Sequence, residues 1–142
     1  MNLNPVTLIK KSYQSEKKNI ELIADEICKL IYDSKSENEF PVQEIFLAID
    51  EAVSNAMEHG NKWDKQKLVN IDVSRINEEI IITVTDSGNG FDTDSVSYEI
   101  DRNNLLKTRG RGIFIMNKFC DLKWNSSGNE LKMKIKKEFT PK

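Results

Sequence analysis

Apolar residues recur at helical spacing in two stretches of the chain. Ile20, Ile23, Ala24, Ile27, Leu30 and Ile31 form one stripe between Ser15 and Tyr32, with Glu16, Lys17, Glu21 and Asp25 off it, which predicts an amphipathic helix. Ile45, Ala48, Ile49, Ala52, Val53 and Ala56 form a second stripe. Pro41 suits its first turn, where a missing N–H is harmless, and Gly60 suits its end. Elsewhere the period falls to two. Val6 to Ile9 predicts a short first strand. Leu68 to Ile76 and Glu79 to Asp86 predict a hairpin about Asn77 and Glu78, with Ile80, Ile82 and Val84 on one face and Ile81, Thr83 and Thr85 on the other. A short helix from Gly112 to Phe119 leads into a second hairpin. Its strands are Cys120 to Asn125 and the run Leu131, Met133, Ile135, and its turn is Ser127-Gly128-Asn129. Lys132, Lys134 and Lys136 alternate with that last apolar run and predict the solvated face of a charged edge strand. Between Phe91 and Arg109 there is little periodicity, and connections that long inside a compact domain are characteristically functional or disordered.

This order of elements predicts an α+β fold, a two-layer α/β sandwich in which a mixed, mostly antiparallel sheet carries helices on one face. Composition narrows the picture. With 142 residues, 38% hydrophobic and 31% charged, and no repeat or linker, the chain reads as a single soluble domain over residues 1–142. A net charge of -2 from 21 basic and 23 acidic side chains argues against nucleic-acid binding, which needs clustered Lys and Arg. One histidine and two distant cysteines, Cys28 and Cys120, leave no zinc-ligand spacing, so the thiols are expected to be buried and inert. No signal-peptide run and no apolar stretch near the ~20 residues of a membrane helix occurs, so a cytoplasmic location without membrane contact is expected.

Three clusters carry chemistry. In Glu51-Ala-Val-Ser-Asn55-Ala-Met-Glu58-His59-Gly60, residues Glu51, Asn55 and His59 are spaced i, i+4, i+8 and so share a helix face. An amide oxygen at Asn55 suits Mg²⁺, and Glu51 one turn away could accept a proton from an attacking hydroxyl. The same row also suits the solvated side of an amphipathic helix, and a C-terminal His59 could simply complement the helix dipole. In Asp86-Ser-Gly88-Asn-Gly90-Phe91, glycines at a strand end allow close backbone approach to a ligand. There Asp86 offers a carboxylate that accepts from adenine's amine and repels guanine's carbonyl. A plain turn is the alternative, while a calcium loop is disfavoured because Gly88 and Gly90 stand where oxygen ligands belong. In Arg109-Gly110-Arg111-Gly112-Ile-Phe-Ile-Met116, a glycine pair opens a helix whose N–H groups, with the arginines, suit phosphate. It is no Rossmann fingerprint, since Ile115 replaces the third glycine, and no Gly-Lys-Ser/Thr phosphate loop occurs.

Taken in order, these clusters resemble the N, G1 and G2 boxes of the GHKL superfamily of ATP-binding domains, to which gyrase, histidine kinases and MutL belong. The resemblance covers roughly Phe40 to Asp121. Within that superfamily the Glu-Ala-Val-x-Asn-Ala-x-x-His-Gly and Gly-Arg-Gly-Ile-x-x-Met patterns are most similar to the bacterial anti-sigma factor serine/threonine-protein kinases. The resemblance implies a Bergerat fold, ATP and Mg²⁺ as cofactors, Asn55 as Mg²⁺ ligand and Glu51 as catalytic base. It implies that Asp86 binds the adenine amine, that Gly88 and Gly90 shape the nucleotide pocket, and that Gly110, Arg111 and Gly112 meet the phosphates. Phe91 to Arg109 would be the ATP lid, with Arg109 or Lys107 reaching the γ-phosphate. The implied partners are a sigma factor and a seryl anti-sigma factor antagonist, and the implied assembly is a homodimer. An ATP-gated binding module without phosphotransfer is the alternative. A detached sensor histidine kinase fits poorly, because the single histidine lies inside the first box.

Overall fold

A computed structural model describes residues 4–34, 42–77, 79–88 and 116–135. The elements are β1 (Val6–Gln14), α1 (Lys17–Ser34), α2 (Val42–Asn55), β2 (Leu68–Ile76), β3 (Glu79–Thr85), β4 (Cys120–Trp124) and β5 (Glu130–Ile135). A π-helical turn, Ala56–Gly60, extends α2. The strands form one five-stranded sheet in the order β1-β2-β3-β5-β4, and every pairing is antiparallel. This is the α+β sandwich that the order of elements predicts.

Alternation decides which face the helices cover. Val69, Ile71 and Val73 of β2, Ile80, Ile82 and Val84 of β3, and Leu131, Met133 and Ile135 of β5 are buried on the inner face. Against them pack Ile23, Ala24, Ile27 and Ile31 of α1 with Ile45, Ala48, Ile49, Ala52 and Val53 of α2, all buried in the same core. Both helical stripes therefore face the core, and that burial is what stabilises two helices of modest intrinsic propensity. Cys28 and Cys120 are both buried, and burial, with Asp25 adding to it, pushes the Cys28 thiol up to about 11. Among the described residues no helix is long and apolar enough to cross a membrane.

Three details depart from the periodicity. The first strand is not a short one. It spans nine residues and pairs with β2 from Val6↔Arg75 to Gln14↔Leu68, with a bulge between Thr7 and Ile9. The extra residue reverses the alternation, so that Ile9 is buried in the core while Leu8 is only partly buried against it. In α1 the helix starts at Lys17, leaving Glu16 outside it, only partly exposed and paired with Lys18 at 3.2 Å and Lys65 at 3.7 Å. The lysine row of β5 does not mark an edge strand. β5 lies between β3 and β4, with Lys132 opposite Thr83 and Lys123, and Lys134 opposite Ile81 and Asp121. Side chains report which sheet face is bare, whereas edge status depends on hydrogen bonds in the plane of the sheet, at right angles to the side chains. Of the expected helix Gly112 to Phe119, residues 116–119 are helical. The remainder, Pro41 and the segment Phe91 to Arg109 lie outside the described residues.

Candidate functional site

Glu51 and Asn55 occupy the last turns of α2, one turn apart and half-buried beside the core stripe. The α-helical repeat stops at Asn55. In the π-helical turn that follows, the Asn61 backbone N–H donates to Ala56 O at 2.9 Å, a five-residue step. In this turn His59 Nε2 lies 3.3 Å from the Glu58 carboxylate.

The π turn delivers Gly60 to the end of β3. A methyl group on Gly60 would overlap the Asp86 carboxylate, and one on Gly88 would overlap the Gly60 carbonyl. The first two clusters are therefore in van der Waals contact across 26 residues of sequence, and the glycines are what let them close. Gly60 thus does more than stop a helix.

Asp86 is the first residue beyond β3, and it is held from behind by the β4–β5 turn. Its backbone N–H donates to Asn129 O at 2.9 Å, and Asn129 Nδ2 donates to Asp86 O at 3.3 Å. In front, the Gly88 N–H donates to Asp86 Oδ1 at 2.8 Å, a turn closed by an aspartate side chain. Burial raises the Asp86 carboxyl above the usual 3.8, and the Gly88 N–H opposes part of that rise. Oδ2 accepts no hydrogen bond among the described residues. A half-buried carboxylate with one oxygen tied and one open suits an exocyclic amine donor.

Asn61, Ser15 and Asn129 carry no signal in the motif reading, yet they hold this site together. Asn61 is fully buried, and its side chain bonds to both the Ser87 backbone and the β1–α1 junction. The clue in the sequence is only its position directly behind Gly60. Lys62 and Trp63, which follow it, both take left-handed backbone conformations, with φ of 53° and 59°. Trp63 then packs against the core under Lys17, whose ammonium is 5.7 Å from the ring centroid.

Gly90, Lys107, Arg109, Gly110, Arg111 and Gly112 lie outside the described residues. Met116, which closes the third cluster, is buried in the core. Among the described residues no group of three His, Cys, Asp or Glu side chains gathers to hold a metal ion. A groove of about 450 Å³ is lined by Asp50, Ser54 and Glu58 with Trp63, and Glu51, Asn55 and Asp86 are not part of its lining.

Comparison with known proteins adds to this geometry. The family model of the histidine kinase-like ATPase domain matches residues 15–135. Proteins called anti-sigma F factor in Clostridium perfringens, strains SM101 and 13, are each 36% identical to the chain over 80 residues, 55% of this chain and 57% of theirs. The chain thus spans a little more than half the length of the curated relatives it matches.

Proposed function

Because this chain belongs to the histidine kinase-like ATPase domain family, we propose that it is an ATP-dependent protein serine kinase and anti-sigma factor. In this reading residues 1–142 form one domain that phosphorylates an anti-sigma factor antagonist on serine and sequesters a sigma factor. The observation that carries the nucleotide half is the closure of Gly60 on Asp86 and Gly88, which joins the first two motifs at a half-buried carboxylate. The likeness to anti-sigma F factors supports the regulatory half.

Each residue has a role in the proposal. Asp86 accepts the adenine amine through its open oxygen and opposes guanine by repulsion. Gly88 and Gly90 shape the nucleotide pocket. Glu51 takes the proton of the attacking seryl hydroxyl as the new P–O bond forms and the bond to the departing ADP oxygen breaks. Asn55, a half-buried amide at the end of α2, would hold Mg²⁺ shared with phosphate oxygens, and such an ion neutralises phosphate charge when bound. Gly110, Arg111 and Gly112 meet the phosphates, with Arg109 or Lys107 on the γ-phosphoryl group.

Incubation of the purified protein with γ-labelled ATP, an antagonist protein and a sigma factor tests the reading. Label on an antagonist serine, with ATP-dependent sigma factor binding, is the expected result. ATP-dependent binding without label would replace the kinase by an ATP-gated binding module. Absence of nucleotide binding would remove both.

A further inference from the structure

We propose that Asn61 is a positioning residue that holds the Asp86-Ser87-Gly88 segment in its base-accepting geometry and thereby sets the preference for adenine over guanine. This rests on the reading of Asp86 as the acceptor of the adenine amine.

Asn61 has no exposed surface, and its side chain is bonded on both sides. Oδ1 accepts the Ser87 backbone N–H at 2.8 Å. Nδ2 donates to Ser15 Oγ at 2.9 Å, to Lys67 O at 3.1 Å and to Leu68 O at 3.2 Å. Ser15, 2% exposed, donates its own hydroxyl to Lys67 O at 2.6 Å. One amide thus ties together the end of the π turn, the β1–α1 junction, the start of β2 and the loop beyond β3. Its orientation is dictated by chemistry, since the backbone N–H demands the oxygen and the two carbonyls demand the NH₂ group.

No other side chain of this length fits. Aspartate keeps the acceptor for Ser87 but turns an oxygen towards two carbonyls. Leucine leaves the Ser87 N–H without its side-chain acceptor and removes one donor from each carbonyl, which keep only Ser15 Oγ on Lys67 O and Ser87 Oγ on Leu68 O. Ser87 stands between Asp86, whose carboxylate would read the base, and Gly88, whose N–H orients that carboxylate. Asn129 holds Asp86 from behind and the Ser87 hydroxyl donates to Leu68 O at 3.2 Å, while the Asn61–Ser87 bond is the clamp on the Ser87 backbone N–H. Releasing it lets the carboxylate turn without removing it. Discrimination between an amine and a carbonyl on the base depends on that direction, whereas phosphate contacts do not.

The test measures ADP and GDP affinities by calorimetry for the wild type, Asn61→Ala and Asn61→Asp at a temperature where each is folded by circular dichroism. The wild type is expected to favour ADP. Asn61→Ala is expected to lower the ADP-to-GDP affinity ratio at least about tenfold, and Asn61→Asp, which keeps the acceptor, by less. Partial unfolding would weaken both nucleotides equally, so an unchanged ratio in Asn61→Ala overturns the inference. If neither Asn61 variant folds, amide exchange in the wild type decides. Strong protection of the Ser87 N–H is expected, and exchange at the rate of an open loop overturns the clamp. A wild type that binds neither nucleotide overturns the ATP reading itself and is told apart by that first measurement.

Discussion

At Asp86 burial and a hydrogen bond pull proton affinity in opposite directions, and burial wins. The folded state therefore holds the proton more tightly than the unfolded chain. Stability conferred by the protonated form falls as pH rises from about 3.8 through the raised folded value, and the ionised carboxylate is a net cost at neutral pH. Asp86→Asn retains an oxygen for the Gly88 N–H and removes the buried charge. It is expected to be at least as stable as the wild type in denaturant at pH 7 and to lose adenine-nucleotide affinity; unaltered affinity would sink the role given to Asp86. In the wild type, affinity for ATP should begin to fall on acidification at a higher pH than an ordinary aspartate allows, measured by calorimetry across pH. Gly60→Ala places a methyl group on the Asp86 carboxylate. It should destabilise the fold by about 1–3 kcal/mol in a thermal melt and weaken nucleotide binding with it. The acidic residue was legible because a β-branched strand runs straight into glycines there. Gly60 was legible only as a stop, since its contact with Asp86 joins distant segments. Asn61 was not legible, because a polar residue after a glycine reads as exposed until its four partners are seen around it.

Among the elements, the helices and the two hairpins follow from periodicity alone, because one buried face per element writes its period into the sequence. Local irregularities do not. The bulge at Leu8 and the π turn at Ala56–Gly60 each shift the side-chain phase, and neither leaves a residue type that marks it. The lysine row of β5 is instructive in a different way, since the charges are on the bare face while the strand is interior. Lys132→Pro is therefore expected to abolish folding, read by circular dichroism, because proline deprives an interior ladder of a donor. Lys132→Thr should melt close to the wild type. A proline variant that melts like the threonine variant would contradict the interior placement.

For the whole molecule, a ligand that binds only the folded state raises its stability by mass action, about 2.7 kcal/mol at a hundredfold excess over Kd. Saturating ATP should raise the melting temperature of the wild type and of Glu51→Ala alike, because a base for phosphoryl transfer acts on the reaction and not on binding. Asp86→Asn should show no such rise, and labelled transfer should be lost in Glu51→Ala. A Glu51 variant with undiminished transfer would remove that residue as base. The sequence by itself determined the sandwich, the buried faces of α1, α2 and the two hairpins, and the family, since each is recorded in periodicity or in the order of motifs within single segments. Only the tertiary structure decided that Gly60 closes on Asp86, that β5 is interior, and that Asn61 clamps the loop. These depend on contacts between residues far apart in the chain, and no local pattern of residue types encodes which distant atoms will fill a buried hydrogen-bonding site.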